Sequence, residues 1–258
     1  MKFIVAVISI LMANLCFAKP ANNSIYLYDQ SVNKAIVAEN STEIRPIASI
    51  SKLMTAIVAL DYSSDMNRQL KVSNKIVSYL PSKEHSRLDV LSAMLIRSDN
   101  AAAETIAADY PGGREAFMRA MNQKAIELGM TNTKFHDPSG LSVFNVSTAE
   151  EVAIMVNEAT KYELIRTLTT TQEKTFETQY KKRIRTITLI NTNRPVLIEF
   201  ASIIAGKTGL TSAAGWCIGM AIENNSQKYL IVVLGSKTKT ARLRLVEQTV
   251  YNHVLAKE

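Results

Sequence analysis

PIASISKLMTAIVALD, residues 46–61, is the stretch on which the fold of this chain turns. Before it, residues 24–28 and 34–39 are short β-favouring runs joined by residues 29–33, the pattern of a hairpin. From Ser49 onward Leu53, Ile57 and Leu60 recur at helical spacing with no Gly or Pro between them, so a long helix opens just after Pro46. A serine at that entry has its hydroxyl in the positive field of a helix N-terminus. Lys52, three residues on, lies nearly one turn away on the same face. An amine so placed can reach the hydroxyl as a base.

Helical signals continue on the C-terminal side. Residues 88–97 and 100–109 read as two helices broken at Ser98-Asp99. Pro111-Gly112-Gly113 makes a turn, and a further helix over 114–128 is stopped by Gly129. Ser147-x-x-Glu150 has the form of a capping box for a helix reaching about Ala159. Strand signals return over 174–180, 186–190, 203–207, 216–222 and 229–234, with Asn224-Asn225-Ser226 as the clearest hairpin connection. Residues 240–256 close the chain as an amphipathic helix. Strands at both ends and helices between them predict an α+β fold: an antiparallel sheet with flanking helices, built from 19–64 and 165–258, plus an inserted all-helical lobe over 65–164.

Residues 1–18 read as a signal peptide rather than fold. Lys2 precedes an apolar run over 3–15, and Cys16-Phe17-Ala18 offers small residues at the first and third places before a cut after Ala18. The run is short for a bilayer span and no stop-transfer pattern follows, so an exported, periplasmic protein without a stable membrane anchor is expected. The sequence Ala13-Asn14-Leu15 lacks the small residue that lipidation of Cys16 would need just before it. Cys217 is then the only cysteine left, which excludes an intrachain disulfide and leaves the core to hold the fold. The net charge of +7, or +6 once Lys2 is removed, suits an anionic polymer. Its positive residues are scattered apart from Lys181-Lys182-Arg183-Ile184-Arg185, and no nucleic-acid module accompanies that run.

Three short motifs carry the chemistry: Ser49-Ile50-Ser51-Lys52, Ser98-Asp99-Asn100 and Lys207-Thr208-Gly209. Ser-x-x-Lys occurs also at Ser31–Lys34 and Ser236–Lys239, but only Ser49 enters a long helix. A lysine of ordinary pKa, roughly 10.4, is neutral in only about one molecule in a thousand near pH 7, so a base at Lys52 needs burial or a nearby cation. Lys207 is the natural cation. Ser98 and Asn100 could relay a proton and hold a substrate amide. Thr208 could bind a carboxylate, and Gly209 would let a substrate backbone lie against the strand. The N–H groups of Ser49 and Leu210 could form an oxyanion hole.

These residues resemble the three signature boxes of the low-molecular-mass penicillin-binding proteins, the serine D-alanyl-D-alanine peptidases. The stretches Phe135-His136-Asp137-Pro138-Ser139-Gly140-Leu141-Ser142, Ser147-Thr148-Ala149 and Ala214-Gly215-Trp216-Cys217 are similar as well, so the resemblance spans nearly all of the mature chain. Within the family the chain is most similar to the penicillin-binding protein 7 type of D-alanyl-D-alanine endopeptidase. The resemblance implies a β-lactamase/transpeptidase-like fold, a Ser49 acyl-enzyme, Lys52 as proton acceptor, Ser98 assisting the leaving amine and Lys207 binding substrate. It also implies peptidoglycan stem peptides and their cross-links as substrate, covalent inhibition by β-lactams, and no cofactor or metal. Larger relatives carry an extra β-rich domain and a C-terminal amphipathic anchor, which are not expected here.

Three rival readings are weighed against this one. A carboxypeptidase shares every box. A class A β-lactamase needs a glutamate to activate the deacylating water. Residues 135–141 offer none, and Glu150 and Glu151 belong to a helix cap. A non-catalytic wall-binding module has no need of Ser49, Lys52, Ser98, Asn100 and Lys207 together. His85, His136 and His253 form no His-Glu-x-x-His pattern, and there is no Gly-x-Ser-x-Gly elbow.

Overall fold

The computed structural model describes residues 22–72, 75–180 and 183–255. The expected leader over 1–18 and the basic pair Lys181-Lys182 lie outside them. The elements run β1 (Ser24–Asp29), β2 (Lys34–Glu39), β3 (Arg45–Pro46), a 3-10 turn (Ala48–Ser51), α1 (Lys52–Tyr62), β4 (Gln69–Lys71), β5 (Glu84–Ser86), α2 (Arg87–Ile96), α3 (Asn100–Ala108) and α4 (Gly113–Glu127). They continue with β6 (Val146–Ser147), α5 (Ala149–Ala159), α6 (Glu163–Thr170), β7 (Glu173–Tyr180), β8 (Arg183–Ile190), α7 (Arg194–Glu199), β9 (Ile203–Thr211), β10 (Gly215–Asn224), β11 (Gln227–Ser236), α8 (Lys239–Val250) and a π turn (Tyr251–Leu255).

The main sheet is antiparallel in the order β2-β1-β11-β10-β9, so the first strands of the chain pair with the last. Strand alternation divides the core. Tyr229, Ile231 and Val233 of β11 face Val246 and Val250 of α8, with Leu197 and Phe200 on the same side. Leu230, Val232 and Leu234 face the larger cluster, which includes Leu53, Ile57, Val152 and Val156. Gly219 lets α5 lie close on the sheet, since a Cβ there would stand 3.0 Å from both Val152 and Val156. Cys217 is fully buried.

Several details differ from the sequence expectation. The long helix does not begin at Ser49: residues 48–51 are a 3-10 turn, and α1 starts at Lys52. The capping pair is one residue later than Ser147-x-x-Glu150. Thr148 Oγ1 accepts from the N–H of Glu151 at the start of α5, while Ser147 is occupied by the β3–β6 bridge and by Thr133. Residues 173–190 form a separate β7–β8 ribbon instead of joining the main sheet. Two short helices were not expected: α6, rich in β-branched threonines that favour extended chain, and α7, opened by Pro195.

Candidate active site

The 3-10 turn that carries Ser49 is pinned from three sides. Ser51 Oγ donates to the Ala48 carbonyl at 2.8 Å, and Asn145 Nδ2 donates to Ser51 Oγ at 3.0 Å. The N–H of Ile47 donates to the Asn145 carbonyl. Ala48 is held at φ +48°, a conformation that costs an alanine energy, directly before the serine. Two glycines touch the same peptide. A Cβ on Gly140 would lie 2.0 Å from the Ala48 oxygen, and one on Gly209 would lie 3.1 Å from the Ser49 nitrogen. The close approach at Gly209 in this structure is that of the chain's own 47–49 backbone, with the Ile47 oxygen nearest at 2.8 Å.

Lys52 Nζ donates to Ser49 Oγ at 2.9 Å, to Asn100 Oδ1 at 2.7 Å and to the Ser139 carbonyl. That carbonyl is aimed by Asp137, whose carboxylate accepts from the Ser139 N–H and hydroxyl, the Gly140 N–H and the Ser142 N–H at 2.6–2.7 Å. Burial raises the Asp137 carboxyl pKa, but these donors outweigh it and hold the carboxyl below its ordinary value. Lys52 is buried, and burial lowers its amine to about 7 against the pull of Asp137, Asp99 and Glu104.

The second lysine faces the same space from β9. Lys207 Nζ donates to Ser98 Oγ at 2.9 Å and to the Thr208 carbonyl at 3.0 Å. Ser98 sits at φ +63° in the break between α2 and α3, while Asp99 caps α3 through the Ala102 N–H and Asn100 opens it. Lys207 is buried, and burial first, then the charges of Lys52 and Arg242, hold its amine well below the ordinary lysine value. Burial leads the depression at both amines; the charge of Lys52 adds to it at Lys207, while Asp137, Asp99 and Glu104 oppose it at Lys52.

A cavity of about 280 Å³ opens over this pair. Ser49, Ser98, Asn100, Thr208, Gly209 and Leu210 line it, so every site residue singled out from the sequence either lines the cavity or, as Lys52 and Lys207, bonds to a residue that does. Four lining residues were not singled out: Leu141, Thr192, Trp216 and Arg242. Thr192 Oγ1 accepts from Thr208 Oγ1 at 2.7 Å. Arg242 is buried with its guanidinium 5.7 Å from the centre of the Trp216 ring, and Nη1 donates to the Cys217 carbonyl at 3.3 Å. Its Nε and Nη2 have no hydrogen-bond partner among the described residues. Only convergence through α8 brings it here, and no motif marks it. Glu150 and Glu151 are engaged elsewhere, with Ser41 and with Asn132 and Thr133, which removes them as water-activating groups. The other two Ser-x-x-Lys matches fall in the β1–β2 hairpin and between β11 and α8.

A half-buried serine bonded to a neutralisable lysine, in this sheet-and-helix frame, defines a serine peptidase of the DD-peptidase class. The family profile described as D-alanyl-D-alanine carboxypeptidase matches residues 18–238, and the chain belongs to that family. It is similar to the D-alanyl-D-alanine endopeptidase of Escherichia coli (strain K12), 40% identical over 225 residues, covering 83% of this chain and 71% of that protein. The D-alanyl-D-alanine endopeptidase of Pseudomonas aeruginosa is 36% identical, with 83% and 71% covered. Penicillin-binding protein D2 of Listeria monocytogenes, solved in a cefotaxime-bound form, superposes with a TM-score of 0.75 at 27% identity over 88% of this chain and 95% of that one. The Streptomyces K15 DD-transpeptidase shares the fold, with a TM-score of 0.78 at 24% identity over 85% and 91%. Among the described residues no helix is long and apolar enough to cross a membrane.

Proposed function

We propose that this protein is a periplasmic D-alanyl-D-alanine endopeptidase that hydrolyses peptide cross-links of peptidoglycan and is acylated by β-lactams. The observation that carries the chemistry is the Lys52 Nζ–Ser49 Oγ hydrogen bond at 2.9 Å, with the amine depressed to about 7. Near pH 7 about half of the Lys52 amines are neutral, against about one in a thousand for an ordinary lysine. Neutral Lys52 takes the proton of Ser49 as Oγ attacks the D-alanyl carbonyl, and the N–H groups of Ser49 and Leu210 receive the developing oxyanion. Ser98, bonded to Lys207, passes a proton to the leaving amine. Water then hydrolyses the Ser49 ester. Asn100 orients the substrate amide. Thr208 and the buried guanidinium of Arg242, which lines the cavity, take the substrate carboxylate, so the cationic wall supplies binding and the Ser49–Lys52 pair supplies reaction.

The endopeptidase reading is favoured by the two similar endopeptidases at 40% and 36% identity. The carboxypeptidase reading is favoured by the family profile and by a 31% identical carboxypeptidase of Bacillus subtilis, of which the chain covers 58%. Product analysis separates them. Release of monomers from cross-linked dimers is the expected result. Loss of only the terminal D-alanine from pentapeptides, with dimers left intact, would overturn it.

A further inference from the structure

A second groove lies between the main sheet and α5, with a volume of about 430 Å³. Its floor is β1, where Tyr26 and Tyr28 project from the same face and stack at 6.0 Å between ring centres with 19° between planes. Its wall is the α5 face that carries Glu150, Ala153, Ile154 and Asn157, spaced as one side of a helix, with small Ala153 leaving room at the centre. Gln30 and Asn33, from the hairpin, close one end.

We infer that this groove binds the glycan strand of the wall polymer, as a subsite for neutral N-acetylated pyranose sugars separate from the peptide-cleaving cavity. The inference rests on the peptidoglycan reading above for its occupant, and on the groove itself for its chemistry. Half-buried tyrosine rings present flat apolar surface with a polar tip, which suits the C–H face of a pyranose. The polar groups around them are mainly planar amides, and several are already oriented. Tyr28 donates to Asn33 Oδ1, and Lys228 Nζ donates to Asn157 Oδ1 at 3.0 Å, which leaves both amide N–H groups as donors for hydroxyl or acetamido oxygens. Glu150 uses Oε1 for Ser41 Oγ, so its other oxygen remains an acceptor for a sugar hydroxyl. Glu150 is the single charged residue of this lining, with Lys228 one bond behind Asn157, whereas the cleaving cavity has Arg242 in its lining and Lys52 and Lys207 behind it. With Glu150 and Lys228 of opposite sign, the groove offers a carboxylate-bearing peptide no net attraction, whereas a neutral sugar uses its rings and amides.

The two places are mechanically joined. The segment 137–147 that builds the Lys52 cradle runs directly into α5, whose first turn carries Glu150. Holding a glycan in the groove therefore presents its attached peptides to a rigidly connected cavity, and the second contact raises the local concentration of cross-links.

The test uses the full mature chain and two probes. Oligomers of N-acetylglucosamine, which are neutral and carry no peptide, are titrated by NMR as the glycan probe and are expected to shift amides of residues 25–33 and 150–157 and to leave the Ser49 cavity unmoved. Tyr28→Leu, which keeps apolar volume but removes the ring, and Gln30→Ala, on the hairpin, should each lose the shifts. Both should cleave a soluble cross-linked dimer at the parental rate, while release from intact sacculi falls about tenfold. Absence of shifts with the glycan, or equal binding by the Tyr28→Leu and Gln30→Ala variants, overturns the groove. Shifts there from a stem peptide and not from glycan would assign it to peptide instead and also overturn it. Failure to cut the dimer bears on the endopeptidase reading alone, because the glycan probe carries no peptide.

Discussion

Gly140 stands against Ala48 so closely that a methyl group on Gly140 would lie 2.0 Å from the Ala48 carbonyl oxygen. Gly140 is itself at φ +83°. One residue without a side chain thus lets the Lys52 cradle and the Ser49 turn occupy adjoining space. Gly140→Ala should destabilise the fold by about 3 kcal/mol, from the left-handed backbone and the clash together. Chemical denaturation checks this, and an unchanged midpoint would contradict the contact.

Ala48 poses the opposite question. It holds φ +48° without being glycine, so Ala48→Gly should relieve backbone strain of about 1 kcal/mol. The same change loosens the peptide that aims Ser49. Expected is a stability equal to or above the parent with slower acylation, measured by thermal melting and by the rate of β-lactam adduct formation in one preparation.

The Lys52 amine, lowered to about 7, sets a pH limb. Acylation should fall as pH drops below that value, because the protonated amine cannot accept the Ser49 proton, and should level off above it. Stability has a related sign. The unfolded chain binds the proton up to its ordinary value near 10.5, the folded chain only to about 7, so this group makes the fold more stable as pH rises between the two. Lys52→Met should abolish the acylation limb and lessen the slope of that part of the stability curve, to which Lys207 also contributes. Parallel pH series of acylation rate and denaturation midpoint on both proteins decide it.

Lys207 has a different expected signature. It bonds Ser98 at 2.9 Å but makes no bond to Ser49, so Lys207→Ala should weaken capture of a carboxylate-bearing substrate and slow the proton delivery of Ser98. A rise in KM larger than the fall in kcat is expected on a cross-linked dimer. An unchanged KM would remove its binding role.

Much of the site was legible because catalysis needs fixed residue types at fixed spacings. A serine and a lysine one turn apart are readable from the local chain, and helix starts with Asp99 at an N-cap leave their own mark. The fold class followed from short strand runs at both chain ends around a block of helical period that opens with α1. What escaped depended on tertiary convergence. Asn145, fully buried, ties the Ser49 turn to the 137–142 loop, yet an isolated asparagine has no pattern. The β7–β8 ribbon alternates like a sheet strand, and only the missing partner distinguishes it. The opposing pull on Lys52 depended on where Asp137, Asp99 and Glu104 fold, which spacing does not encode.

Arg242 gives the sharpest separation of binding from stability. Its buried guanidinium has two unpartnered nitrogens, and burial lowers its pKa to about 10. A buried cation held by one carbonyl hydrogen bond and the Trp216 ring costs the fold more than an apolar side chain of similar volume. Arg242→Leu should therefore leave the protein as stable as the parent or more so, while KM rises by about tenfold or more for substrates bearing a free carboxylate. Esterifying that carboxylate should affect the parent strongly and the variant little. Loss of stability in Arg242→Leu, with KM unchanged, would show that the guanidinium serves the packing around Trp216 and Cys217 rather than the substrate.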